Sequence, residues 1–190
     1  MEIRDFFLTK RTYRKFEQIQ IPSEVIKDCM LAAQMASNGG NRQGLKYIVI
    51  ENGPMVKAVN DFVKWAAYLP HELGQPNAGE TPVAFIAVLK DSEIGVSDTD
   101  AGIAIADIQT AAWYHGVGSC IMGAIDRPAI KELLSIEDTL ELHSVIALGY
   151  PKKASTPVEL GESGDIKYYV DANGDTFVPK RSIEDIARFI

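Results

Sequence analysis

Four cations fall within six residues near the N-terminus, Lys10-Arg11-Thr12-Tyr13-Arg14-Lys15, and Thr12 adds a hydroxyl among them. A second basic pair lies near the C-terminus in Val178-Pro179-Lys180-Arg181-Ser182, which reads as the opening of a last helix. Guanidinium groups hold a phosphate monoester through paired, charge-assisted hydrogen bonds, so both segments suit the same phosphate. Taken singly, each is equally well a solvated basic turn. A third segment, Ala36-Ser37-Asn38-Gly39-Gly40-Asn41-Arg42-Gln43, supplies amide donors and acceptors with almost no bulk. That composition suits a flat, polar heterocycle approached closely by backbone.

Composition narrows the partners. The chain has 190 residues, 46% of them hydrophobic, enough to bury a core as one domain. Its 19 basic and 26 acidic side chains give a net charge of -7. A nucleic-acid or anionic-membrane surface needs a broad cationic face, which this balance does not provide. Clustered cations on an acidic chain point to a small anionic ligand. Met1 to Asp5 lacks the apolar centre of a signal peptide, and the longest apolar run, Val83 to Leu89, is too short to span a bilayer. Cys29 and Cys120 stand apart in apolar surroundings, as buried thiols of a cytoplasmic protein would.

Other chemistries find little support. Gly116-Val117-Gly118-Ser119-Cys120-Ile121 lacks the third glycine of a dinucleotide fingerprint and follows a helix rather than a strand. His71, His115 and His143 are scattered, with no patterned Ser or Cys beside them. His115 fits a helix C-terminus. Trp65, Tyr68, Trp113 and Tyr114 read as core or interface residues, with Trp65 and Tyr68 placed so that they could instead wall a substrate pocket.

Periodicity places these segments. Helices are expected over Ile3–Thr9, from Ser23 as N-cap with Val25, Ile26, Met30 and Ala33 inward, and over Pro54–Leu69. The run from Asp98 to His115 should be the longest helix, buried nearly all round. Shorter helices follow over Pro128–Leu134 and from Ser182. Strands are expected at Tyr47–Ile50, centrally at Val83–Leu89, at Cys120–Met122 and at Leu142–Leu148. His71 to Thr81 reads as a mobile loop and Lys152 to Gly164 as loop. Asp171-Ala172-Asn173-Gly174 is a hairpin turn between Ile166–Val170 and Thr176–Val178. One α+β domain over residues 1–190 is the reading.

The order of these segments resembles the nitroreductase family of FMN-dependent oxidoreductases. The matching stretches are KRTYRKF (10–16), ASNGGNRQ (36–43), TPVAFIAVL (81–89), DAGIAIADIQTAAWYHGVGSCIMGAID (100–126), VIALGYP (145–151) and YYVDANGDTFVPKRSIEDI (168–186). The resemblance implies a mixed, mostly antiparallel sheet flanked by helices, in a homodimer that exchanges C-terminal segments and holds FMN at the subunit interface. It places Lys10, Arg11, Thr12, Lys180 and Arg181 at the phosphate and Arg14 at the pyrimidine edge. Asn38, Gly39, Asn41 and Gln43 would lie along ring and ribityl chain, and the backbone of Met122, Gly123 and Ala124 would face the central ring nitrogen. NADH or NADPH would reduce the flavin, and a small acceptor such as a nitroaromatic or quinone would reoxidise it by a ping-pong route.

Several positions depart from the family pattern. Lys10-Arg11 stands for Arg-Arg or Arg-His, Ser37 and Gly44 for two prolines, and Gly123 for an acidic residue near the flavin. The segment from Trp65 to Pro82 is short, which implies a reduced lid. The resemblance leaves room for a flavin-dependent dehalogenase or flavin-fragmenting relative. The residues leave room for a flavin-binding regulatory module or a flavin-free phosphate-ligand binder.

Overall fold

Strict alternation of apolar side chains builds the centre of the computed structural model, which describes residues 2–190. In one strand, Ala84–Asp91, the side chains of Ala84, Ile86 and Val88 enter one core cluster and those of Phe85, Ala87 and Leu89 enter another. Another strand, Leu140–Gly149, divides in the same way, with Ile146 and Leu148 against Val145 and Ala147. The period of two therefore gives both strands two buried faces. Numbered along the chain, β1 is Leu45–Ile50, β2 is Ala84–Asp91, β3 is Gly118–Met122 and β4 is Leu140–Gly149. They form an antiparallel sheet in the order β1-β2-β4-β3.

Helices cover both faces. Beyond a short N-terminal helix α1 (Ile3–Thr9), α2 (Ser23–Met35) brings Val25, Ile26 and Cys29 to one face. The same face receives Ile105 and Ile108 of the later helix at Asp98–Tyr114. The opposite face carries α3 (Gly53–Asp61), the helix at Arg127–Leu133, and the N-terminal aromatics Tyr13 and Phe16. In chain order α4 is the turn His71–Gly74, α5 is Asp98–Tyr114, α6 is Arg127–Leu133 and α7 is Ile183–Ile186. A second small sheet, β5 (Ser155–Glu159), β6 (Tyr169–Val170) and β7 (Thr176–Lys180), is ordered β5-β7-β6. Here β5 and β7 run parallel, so the mixed pairing sits outside the central sheet.

Several sequence expectations change. The helix expected over Pro54–Leu69 stops at Asp61 because Val63 bridges Ile125 and the neighbouring amides bond Ala124 and Phe62 across that bridge. Residues 155–159, expected as loop, become β5 because β7 offers them a parallel partner; short local sequence carries no trace of that pairing. Val178 to Lys180 accordingly ends a strand, and the last helix begins after Ser182, whose hydroxyl caps it in a box with Asp185. Ser23 is the first residue of α2 and its hydroxyl bonds Glu24, so Pro22 takes the cap position. The expected loop from His71 to Thr81 contains α4 and a buried carboxylate, Glu80, held between Lys15 (3.7 Å) and Lys152 (3.6 Å). Finally, α5 is not buried all round: Gly102, Ile103 and Ala106 face outward.

Two glycines let the basic N-terminal segment lie across the sheet edge. A Cβ on Gly118 would stand 2.7 Å from Tyr13 Cδ2, and one on Gly149 would stand 2.8 Å from Phe16 Cβ. Phe16 is fully buried and cannot step aside. Gly149→Ala should therefore cost about 1–3 kcal/mol, roughly 2–4 °C in Tm per kcal/mol for a chain of this size. Calorimetry checks it. An unchanged Tm would mean that the segment is not pinned where it lies.

Candidate functional site

The basic segment leaves α1 as extended chain. Thr12 bridges Ser119 of β3, and the Tyr13 amide donates to the Ser119 carbonyl at 3.0 Å. Tyr13 stacks on Trp113 with centroids 5.2 Å apart, so an aromatic pair fixes the backbone of the cluster. Lys10 turns toward α5, donating to Thr110 Oγ1 at 2.7 Å, and burial lowers its pKa against the pull of Asp107. Arg11 turns elsewhere. Its Nε is buried with no hydrogen-bond partner among the described residues, and its positive charge helps to lower the pKa of Lys180, burial being the larger cause. Arg181 follows β7 and is exposed. Among the described residues, Arg11, Arg14, Lys180 and Arg181 belong to no salt bridge.

An unpartnered buried guanidinium nitrogen beside a second cation is costly unless an anion completes it. The tertiary fold thus sets Arg11 close enough for its charge to act on Lys180 across 169 positions of sequence (180 less 11). Lys10 is diverted from that pair by Thr110.

The polar loop lies at the far end of α5. It forms a 3-10 turn, Gly39–Asn41, with Gly40, Asn41 and Gln43 all at positive φ (62°, 53° and 53°). Two non-glycine residues in the left-handed region are held only by surroundings that over-determine them. Asn38 Oδ1 accepts from the Gln43 amide at 3.0 Å, Arg42 Nη1 donates to the Gly95 carbonyl at 3.0 Å, and the Gly39 amide donates to Asp100 Oδ1 at 2.7 Å. Asp100 also completes the capping box of α5 with Ser97. Its pKa is lowered chiefly by the Ser97 hydroxyl, then by the Gly39 amide. Gly44 abuts Ile94 and Val96, with a Cβ only 2.8 Å from Ile94 Cγ2. No side chain fits there.

The two halves do not meet within one chain. The loop borders a cavity of about 210 Å³ between α2, β1 and the start of α5. Thr12 and Arg14 line a different cleft with Leu69, Leu73 and Thr176. Asp100 and Thr110 mark the two ends of the separation, ten residues of helix (110 less 100), or about 15 Å. Met122 is buried at the end of β3, whereas Gly123 and Ala124 are exposed beyond it.

The 2–190 architecture and the match to known proteins agree. The family model of the nitroreductase family matches residues 8–150. The chain belongs to the nitroreductase family. A provisionally named NADH dehydrogenase/NAD(P)H nitroreductase of Archaeoglobus fulgidus is 31% identical over 153 residues, covering 76% of this chain and 82% of its own. Among solved structures, a nitroreductase family protein of Clostridium novyi NT superposes with a TM-score of 0.68 at 24% identity, over 80% of this chain and 86% of its own. An FMN-dependent nitroreductase of Clostridium difficile R20291 superposes with a TM-score of 0.63 at 20% identity, over 80% and 88%. At those identities the structures show a common fold, the nitroreductase α+β fold. The family match ends at Tyr150, so β5, β6 and β7, together with Lys180 and Arg181, lie beyond it.

Sequence reasoning missed the bond from Gly39 to Asp100. The Ser97-x-x-Asp100 spacing announces a helix cap, but nothing local announces the bond to Gly39.

Proposed function

We propose that the chain is an FMN-dependent oxidoreductase that takes reducing equivalents from NADH or NADPH and passes them to a small acceptor such as a nitroaromatic or quinone. When bound, FMN supplies the hydride chemistry; the protein holds and tunes it. The observation that carries the reading is the buried, partnerless Nε of Arg11 beside Lys180 in a chain of net charge -7. A phosphate monoester completes that pair. Arg11 and Lys180 would hold it, with Thr12 and Arg181 at the rim and Lys10 contributing its charge from its place against Thr110. Arg14 would address the pyrimidine edge, where a cation favours the reduced, anionic flavin over the neutral oxidised form. Gly123 and Ala124, exposed past β3, would offer backbone to the ring. Donor and acceptor would use one place in turn, a ping-pong order that needs no separate nicotinamide fold.

The loop of Asn38, Gly39, Asn41 and Gln43 would serve a second copy of the chain. It opens onto a different cavity from the one that Thr12 and Arg14 line, and apolar side chains are left open around both halves. Ile3 and Phe7 of α1 are exposed, as are Ile103 of α5 and Ile186, Phe189 and Ile190 at the C-terminus. A homodimer covers them and sets the loop of one copy against the basic segment of the other. Since β7 is paired within its own chain, the exchanged segment would be α7 and the residues after it.

The spectrum of the purified protein tests the reading. We expect a yellow, FMN-loaded protein that bleaches anaerobically with NADH or NADPH and recovers on addition of a nitroaromatic or quinone. A colourless protein that refuses added FMN would sink it. A yellow protein that neither nucleotide bleaches would leave a flavin-binding module.

A further inference from the structure

Arg14 is fixed by an aromatic ring and not by a carboxylate. Its guanidinium carbon lies 4.4 Å from the ring centroid of Tyr168. Tyr168 in turn accepts a hydrogen bond at its hydroxyl from the Tyr68 amide at 3.4 Å, and the two tyrosine rings are 5.3 Å apart. It stands immediately before β6, which is anchored by Tyr169 stacked on Phe177 of β7 at 5.4 Å. Three segments therefore converge on one side chain: the basic N-terminal strand, the short 65–82 segment and the C-terminal hairpin. Only the first two lie within the family match.

The chemistry of the stack is distinctive. A carboxylate partner would orient Arg14 but would neutralise it and occupy its donors. An aromatic face holds the guanidinium plane while leaving its in-plane N–H groups and its full charge available. We propose that Tyr168 is a positioning residue for the flavin site: it presents Arg14 un-neutralised to the cofactor's pyrimidine edge and couples that presentation to the 65–82 segment. This inference rests on the FMN reading above and goes beyond it, because it assigns a role to the C-terminal hairpin.

The experiment compares Tyr168→Leu, Tyr168→Phe and Arg14→Gln in the full-length protein, measuring oxidised-FMN affinity by titration and the two-electron midpoint potential. Tyr168→Leu is expected to lower the preference for reduced over oxidised FMN about five- to tenfold, a fall of about 20–30 mV at 29.6 mV per tenfold. Oxidised FMN should still bind within about twofold of wild type, since the phosphate contacts are elsewhere. Tyr168→Phe keeps the ring face and should keep the potential. The Arg14→Gln/Tyr168→Leu double variant should fall no further than Arg14→Gln alone. If Arg14→Gln lowers the potential and Tyr168→Leu does not, the positioning role is overturned and the flavin reading stands. If Arg14→Gln moves neither potential nor affinity, the positioning role is overturned and the flavin reading again stands; if the protein binds no FMN, both fall. Should Tyr168→Leu fail to fold, ring-fluorinated phenylalanines at position 168 keep the shape and drain the ring face. A potential that falls stepwise with fluorination supports the proposal, and a flat series overturns it.

Discussion

Arg11→Met is expected to weaken FMN binding about 10- to 100-fold, from loss of a charge-assisted contact worth roughly 1.5–3 kcal/mol. Titration of apoprotein with FMN measures it. The structure adds a second, opposite expectation for stability. Arg11 Nε is buried without a partner in the protein alone, so the apoprotein keeps a cost that methionine removes. The Arg11→Met apoprotein should melt at or above the wild-type temperature while losing its ligand. Arg181→Ala, on an exposed residue past β7, should cost less affinity than Arg11→Met. Equal FMN affinity in wild type and Arg11→Met would remove the phosphate assignment. Lost stability without lost affinity would make Arg11 a structural residue.

The second large effect is expected at α5. Ile103 is 37% exposed and shares an outward stripe of α5 with Gly102 and Ala106. If this face is covered by a second copy, the wild-type protein stays dimeric on dilution, with an interface on the order of 2,000 Å² or more. Ile103→Glu then places a charge in that interface and should both dissociate the dimer and release FMN, because the loop of Asn38 to Gln43 leaves with the partner. Light scattering and the flavin spectrum are read on the same sample. A folded, flavin-loaded Ile103→Glu monomer would show that one chain suffices, and the shared site would be wrong.

The central architecture is legible in local pattern. β2 and β4 are recognisable because two-faced burial demands apolar runs such as Ala84–Leu89 and Val145–Leu148, and α5 because its cap and length are local properties. The hairpin at Asn173-Gly174 and the final helix from Ser182 are equally local, since turn and cap chemistry are set by the residues that form them. The basic clusters and the polar loop were also visible as composition. Their arrangement was not. Whether Lys10 or Arg11 meets Lys180 depends on which way each side chain leaves an extended segment, and Thr110, a hundred residues away, takes Lys10. β5 exists because β7 lies beside it, and α3 ends early because Val63 finds Ile125. Asp100 joins the loop through one hydrogen bond, and Tyr168 reaches Arg14 across 154 positions (168 less 14). Periodicity and capping act over a few residues and can be read along the chain. Pairing, burial and stacking act between residues brought together by the whole fold, and only the tertiary structure decides them.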